Sequence, residues 1–315
     1  MRKGTSFVLK SLKNRHPTGK RFYRERTVKS WKLYIHNLHS CVKRENEVMM
    51  NTKVHSVQMI VFDWAGTTVD FGSRAPLQIF EKTFQHFGLE FTLEEIAGPM
   101  GMEKKDHIRT LLSTEEGTTF WKNTQNRDWD ENDVERIYDL FEANLKMVVQ
   151  DYSHVIEGVP EAVQKLRESG VKIGSTTGYS SEIMKPILEQ ARREGYEVDC
   201  CVTPDVCGFS RPKPFMVFEC MKRLQVYPPK NVIKVGDTLV DIAEGKNAGA
   251  WSVGVLTGSS VLGFSKEQYD KLSSGERWYA KQVAQQKFFE AGADFVIDSI
   301  ADLPELVKKI DEKLR

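Results

Sequence analysis

The chain has 315 residues, 40% of them apolar and 28% charged, which is ordinary for a folded globular protein. No run approaches the roughly 18–20 apolar residues that a membrane-spanning helix needs, so no membrane partner is expected. The net charge of +1 conceals an asymmetry: residues 1–50 hold 13 Lys/Arg against Glu25, Glu45 and Glu47, while the rest holds 32 basic and 41 acidic residues.

Residues 1–55 have no clear helical or strand period. Three readings stand for this basic extension: a solvated, disordered tail (or sequence upstream of a later start at Met49 or Met50), a mitochondrial-type targeting segment, or a basic arm for nucleic acid. The last lacks any nucleic-acid fold signature, so that partner is not expected. The expected location is cytoplasmic, or mitochondrial if residues 1–50 act as a targeting segment. The five cysteines, Cys41, Cys200, Cys201, Cys207 and Cys220, show no Cys-x-x-Cys metal pair and fit a reducing compartment.

From Val57 an apolar run through Met59, Ile60, Val61 and Phe62 reads as a buried parallel strand ending on Asp63. Gly66 then allows a sharp turn beside the hydroxyls of Thr67 and Thr68. Residues 75–153 read as helices only. Pro76 opens one with Leu77, Phe80, Phe84 and Phe87 on one face, and Gly88 stops it. A second starts at Thr92, a third carries Ile108, Leu111 and Leu112, and two more fit Asp130–Tyr152.

Beyond Gly158 helices and strands alternate, which predicts a parallel sheet with crossover helices. Strands are expected at 171–176, 200–202, 232–235, 251–256 and 295–296, with helices at 160–169, 181–194, 216–224, 241–248 and 302–314. The fold class is α/β, a Rossmann-like parallel sheet with an inserted all-helical cap. The expected domains are the extension 1–55, a core of 56–74 with 154–315, and a cap of 75–153.

Four chemical signals follow the predicted strands: Asp63; Thr176-Thr177-Gly178, whose hydroxyl and N–H groups suit phosphate oxygens; Arg211, whose fork suits a phosphoryl or phosphonate group; and Gly236-Asp237-Thr238 with Asp241. Carboxylates gathered in this way make a hard, oxygen-rich site that suits Mg²⁺ better than zinc. Singly, each has a plainer reading as a turn, a helix cap or a surface charge.

In that order, Asp63-Trp64-Ala65-Gly66-Thr67-Thr68 and the later motifs resemble those of the haloacid dehalogenase superfamily. The resemblance implies that Asp63 is a phosphoryl-accepting nucleophile and that a helical cap lies between the first and second motifs. Ala65 stands where most phosphatases of the superfamily have a second Asp that protonates an alkoxide leaving group. A leaving group stabilised as an enamine needs no acid there, and a lysine imine supplies the electron sink.

Pro99-Met100-Gly101-Met102-Glu103-Lys104-Lys105-Asp106-His107 and Gly174-Ser175-Thr176-Thr177-Gly178-Tyr179 are similar to motifs of the phosphonoacetaldehyde hydrolases, or phosphonatases. That similarity implies Lys104 as the Schiff-base lysine and His107 as a proton-handling histidine. It implies Thr177, Arg211, Tyr179, Met100 and Gly101 as substrate-binding residues. Mg²⁺ would be held by Asp63, the carbonyl of Ala65 and Asp237, with Asp241 behind them. Glu103 and Lys105 flank Lys104 where the family usually has apolar residues, and Ser73 stands where some members have Cys.

The expected function is Mg²⁺-dependent hydrolysis of phosphonoacetaldehyde, a small phosphonate, to acetaldehyde and phosphate. The resemblance also suggests a homodimer through cap helices, which the apolar faces at 77–87 and 134–148 would allow. Two alternatives are a capped phosphatase or phosphomutase acting on a phosphate ester, and a non-catalytic scaffold with a nucleic-acid-binding arm.

Overall fold

The computed structural model describes residues 56–314; the readings of the extension 1–55 fall outside the described residues. Strand β1 is Met59–Phe62. Six α-helices precede the next strand, the first five being α1 Arg74–His86, α2 Leu93–Ala97, α3 Lys104–Leu112, α4 Glu115–Gln125 and α5 Glu131–Val148. Then come α6 Val159–Glu168, β2 Lys172–Thr176, α7 Ser181–Arg193, β3 Cys200–Val202, α8 Pro204–Cys207, α9 Phe215–Leu224, β4 Val232–Gly236, α10 Leu239–Ala248 and β5 Trp251–Val255. The chain closes with α11 Lys266–Lys271, α12 Ser274–Glu290, β6 Phe295–Ile297 and α13 Leu303–Leu314. No helix of the described residues is long and apolar enough to cross a membrane.

The six strands form one parallel sheet in the order β3-β2-β1-β4-β5-β6. β1 lies inside it, with Met59 paired to Lys172 on one side and to Val232 on the other. Strand alternation sends Ile60 and Phe62 to one face, where they pack with Ile183 and Ile187 of α7 and Leu306 of α13. Met59 and Val61 go to the other, against Met216, Val217 and Met221 of α9. Both faces are covered, so β1 is apolar along its whole length. The expected α/β sheet with a helical cap is the fold observed.

Helices α1 to α5 form the cap over the carboxyl edge of the sheet. Phe80 stacks on Phe84 at 5.6 Å and on Phe141 of α5 at 4.0 Å. The faces at 77–87 and 134–148 are therefore spent within the cap: Phe80, Phe84, Val134, Ile137, Phe141 and Leu145 are fully buried. These six side chains are not available to a second copy. The two chain passages joining cap to core pair with each other, Ile156 N donating to Thr68 O at 2.9 Å and Asp70 N to His154 O at 3.3 Å.

Several element boundaries differ from expectation. α1 begins two residues before Pro76 because the Asp70 carboxylate accepts the N–H groups of Arg74 and Ala75 at 3.0 Å each. Asp130–Tyr152 holds one long helix and a 3-10 turn at Val149–Tyr152, not two helices. An Asp130–Asp133 capping box starts it, and no Gly or Pro interrupts its apolar stripe. Helices α4, α11 and α12 were not expected. They bury little, α4 only Gly117 and Trp121 and α12 only Ala284 and Phe288, so their apolar period is faint.

Candidate active site

β1, β2 and β4 end side by side, and the loops beyond them converge. Asp63 follows β1, its N–H held by Val235 O at 2.9 Å. Gly66, with φ of 83°, turns the chain so closely past Asp237 that a Cβ there would stand 2.2 Å from Asp237 Oδ2. A Cβ on Gly236 would stand equally close to Asp241 Cγ. The two glycines allow the three aspartates to approach one another. Asp63, Asp237 and Asp241 each offer a carboxylate oxygen, and these oxygens lie within 4.8 Å of one another.

Arg211 reaches this cluster from the loop after α8. Its Nη1 lies 2.7 Å from Asp63 Oδ1 and 3.0 Å from Asp241 Oδ1, and its Nε lies 3.0 Å from Glu244 Oε2. Nη2 donates to Thr176 Oγ1 at 2.7 Å. Lys234, in the middle of β4 and fully buried, donates to Asp241 Oδ1 at 2.7 Å and stands 3.4 Å from Glu244. Asp241 also closes a capping box with Thr238 at the start of α10, so its oxygens are already engaged.

Asp237 has no basic partner among the described residues. It accepts the Ser260 N–H at 2.8 Å and a weak bond from Thr67 Oγ1 at 3.4 Å. Burial, then the charges of Asp63 and Asp241, push its carboxyl well above the usual range. Four buried carboxylates, Asp63, Asp237, Asp241 and Glu244, thus meet two buried cations, Arg211 and Lys234. Even with Lys104 nearby, carboxylates outnumber cations here, and the aspartates offer only oxygen donors, which fits a hard divalent cation.

The cap contributes Lys104, at the start of α3 and only 4% exposed. Its ammonium lies 5.2 Å from the ring centre of Tyr179 and 5.7 Å from that of Phe80. Burial lowers its pKa to about 8 despite the nearby charges of Asp63 and Glu103. Lys105 turns away and pairs with Glu135 of α5 at 2.7 Å. Asp63, Ala65, Met100, Gly101, Lys104, Thr177, Tyr179, Arg211 and Asp237 line one small cavity of about 20 Å³, room for about one water molecule.

The sequence profile of the haloacid dehalogenase-like hydrolases matches residues 57–249, and the HAD-hydrolase-like profile matches 208–303. A phosphonoacetaldehyde hydrolase of Bacillus cereus is 41% identical over 257 residues, covering 82% of this chain and 97% of its own. One from Parabacteroides distasonis is 41% identical over 255 residues, covering 81% and 97%. The chain belongs to this hydrolase family.

A crystal structure of a phosphonoacetaldehyde hydrolase-like protein from Oleispira antarctica superposes with a TM-score of 0.80 at 38% identity, over 82% of this chain and 94% of the other. A β-phosphoglucomutase from Clostridium difficile, 16% identical with a TM-score of 0.59 over 82% and 98%, shares the fold.

Of the residues singled out in this hydrolase's sequence, two lie outside the cavity. Asp241 sits behind Arg211 and Lys234. His107 is fully buried one helical turn from Lys104, its ring 4.2 Å from that of Phe80. Neither ring nitrogen has a hydrogen-bond partner, and burial followed by the Lys104 charge holds the imidazole well below its usual pKa. Glu244 and Lys234 are the members of the cluster that sequence reasoning missed. Lys234 carried a signal, a lysine inside the apolar run Val232-Ile233-Lys234-Val235, where an unpaired charge is costly. Glu244 carried none, since a glutamate in a helix is commonly a surface residue.

Proposed function

We propose that the chain hydrolyses the carbon–phosphorus bond of phosphonoacetaldehyde, yielding acetaldehyde and phosphate, with Lys104 as the imine-forming amine and Asp63 as the nucleophile. The neutral Lys104 amine adds to the aldehyde and water leaves, giving an iminium. A carboxylate oxygen of Asp63 then attacks phosphorus in line. The carbon–phosphorus electron pair moves into the iminium, so the carbon departs as an enamine and no acid is needed at position 65. Protonation of the enamine carbon and hydrolysis of the imine release acetaldehyde and regenerate Lys104. Water cleaves the aspartyl phosphate.

Arg211 and Thr177 are assigned to the phosphonate oxygens, and Met100, Gly101 and Tyr179 to the pocket around the two-carbon unit. His107, neutral and on the Lys104 face of α3, is assigned the proton balance of the lysine nitrogen. Asp63, the Ala65 carbonyl and Asp237, with Asp241 behind them, would hold Mg²⁺, which when bound offsets charge between carboxylate and phosphonate. The buried Asp237 carboxylate, with no basic partner beside Asp63 and Asp241, is consistent with a divalent ion.

Residues 75–153 are assigned as a cap that opens to admit substrate and closes to exclude water, since a cavity with room for about one water molecule is smaller than the substrate. Pairing of two copies through the cap would need cap surface other than the 77–87 and 134–148 faces.

The observation that carries this reading is the burial of Lys104 in one cavity with Asp63 and Arg211. The test is borohydride reduction in the presence of phosphonoacetaldehyde and Mg²⁺, followed by peptide mapping. A two-carbon adduct confined to Lys104 is expected, and Lys104→Arg should be inactive. No adduct from folded, metal-loaded protein, or turnover retained by Lys104→Arg, would overturn it.

A further inference from the structure

Lys104 and Arg211 lie on separate pieces of chain, yet the proposed reaction needs them on one substrate at once. Lys104 opens α3 in the cap, and Arg211 sits in the core loop after α8. Two residues beyond Lys104, Asp106 accepts a hydrogen bond from the hydroxyl of Ser210, the immediate neighbour of Arg211, at 2.8 Å. We propose that Asp106 and Ser210 are positioning residues, a latch that sets the lysine-bearing helix in register with the arginine-bearing loop when the cap is closed. This rests on the function proposed above.

Three observations support the latch. Both residues line a crevice of about 470 Å³ that α3 and this loop share, and their hydrogen bond joins the two elements there. Asp106 is itself braced: its other oxygen pairs with Arg109 at 2.5 Å, and Arg109 pairs with Glu131 of α5 at 2.8 Å. The latch is therefore tied to the cap framework and not to one flexible side chain. Deeper in, Arg211 Nη1 reaches Gly101 O at 3.4 Å, a weak contact that depends on the same register.

Both latch residues are half-buried and neither lines the reaction cavity, so their removal acts through Lys104 and Arg211. Ser210→Ala leaves the Asp106–Arg109 pair in place, and Ser210→Thr keeps a hydroxyl.

The experiment measures kcat/KM and the rate of borohydride trapping at Lys104 for wild type, Ser210→Ala, Asp106→Ala, the double variant and Ser210→Thr. Amide exchange over residues 104–112 is followed in each. Ser210→Ala and Asp106→Ala should each lose about threefold to tenfold in both rates, the scale of one partly exposed hydrogen bond. The double variant should be no worse than the weaker single variant. Exchange over 104–112 should quicken, and Ser210→Thr should restore wild-type behaviour. Additive losses, or Ser210→Ala matching wild type in trapping and exchange, would overturn the latch. If wild type itself traps nothing at Lys104, the function proposal fails, and the exchange measurement still decides the latch.

Discussion

Glu244 takes the Nε–H of Arg211 at 3.0 Å while Nη1 of the same guanidinium meets Asp63 at 2.7 Å. The arginine is thus gripped at one nitrogen and presented at another. Glu244→Gln keeps the shape but weakens the charge-assisted hold on Arg211 Nε and Lys234, while Asp63 and Asp241 still face both cations. We expect a loss of about 2 kcal/mol of stability, the scale of a hydrogen bond to a charged group. Activity should fall with it. Urea unfolding and steady-state kinetics on the same preparation test this; a variant as stable and as active as wild type would show that Arg211 needs no such hold.

The lysine amine must be neutral to attack, and burial sets its pKa at about 8. The rate of adduct formation should therefore rise with pH through about 8 and level off above it. At pH 7 roughly one lysine in ten would be neutral, against fewer than one in a thousand for a solvated lysine. Single-turnover trapping between pH 6 and 10 checks this. A rise centred near 10 would mean that Lys104 meets solvent during the reaction.

Asp237 is a buried carboxylate without a cation, and its pKa is raised. A raised carboxyl pKa contributes stability at pH values below the unfolded value, near 3.8, and that stability is lost as pH climbs through the folded value. Asp237→Asn should therefore stabilise the metal-free protein, most at high pH, while abolishing activity. Mg²⁺ should raise the melting temperature of wild type and leave that of the variant nearly unchanged. Thermal melts at pH 6 and pH 9, with and without Mg²⁺, separate these effects. Equal metal-induced shifts in both proteins would remove Asp237 from the ligand set.

A Cβ on Gly178 would stand 2.3 Å from the backbone oxygen of Met102, just before the Lys104 helix. Backbone cannot rotate aside as a side chain can, so Gly178→Ala should push the cap segment outward. The expected stability cost is about 1–3 kcal/mol. The catalytic loss should exceed tenfold, because near-attack geometry is sensitive to displacements of about 1 Å. Kinetics and a crystal structure of the variant would decide it.

The sheet and the aspartates were legible because each rests on a local pattern, an apolar strand ending on a charged or hydroxyl residue. The convergence of Asp63, Thr177 and Asp237 follows from parallel strands ending at one edge. What escaped was fixed by tertiary contact. Lys104 was singled out by family resemblance alone, since local pattern does not tell it from Lys105; the helix places one in an aromatic pocket and the other against Glu135. Helix α12 was obscured by its thin apolar face, although Ser273 and Glu276 spell out a capping box. Pro76 pointed to the start of α1, but the true start depends on Asp70 reaching four residues along the chain.

The interlocking of Arg211, Asp241, Glu244 and Lys234 also constrains how this neighbourhood varies. Asp241 is shared by Arg211 and Lys234, and so is Glu244. A single exchange that alters one charge strands a partner in a dry interior, whereas a matched pair of exchanges does not. Changes among positions 211, 234, 241 and 244 in descendants of this sequence should therefore be coupled and not independent. The three of them that do not line the reaction cavity, 234, 241 and 244, would then covary in an alignment as strongly as residues that do.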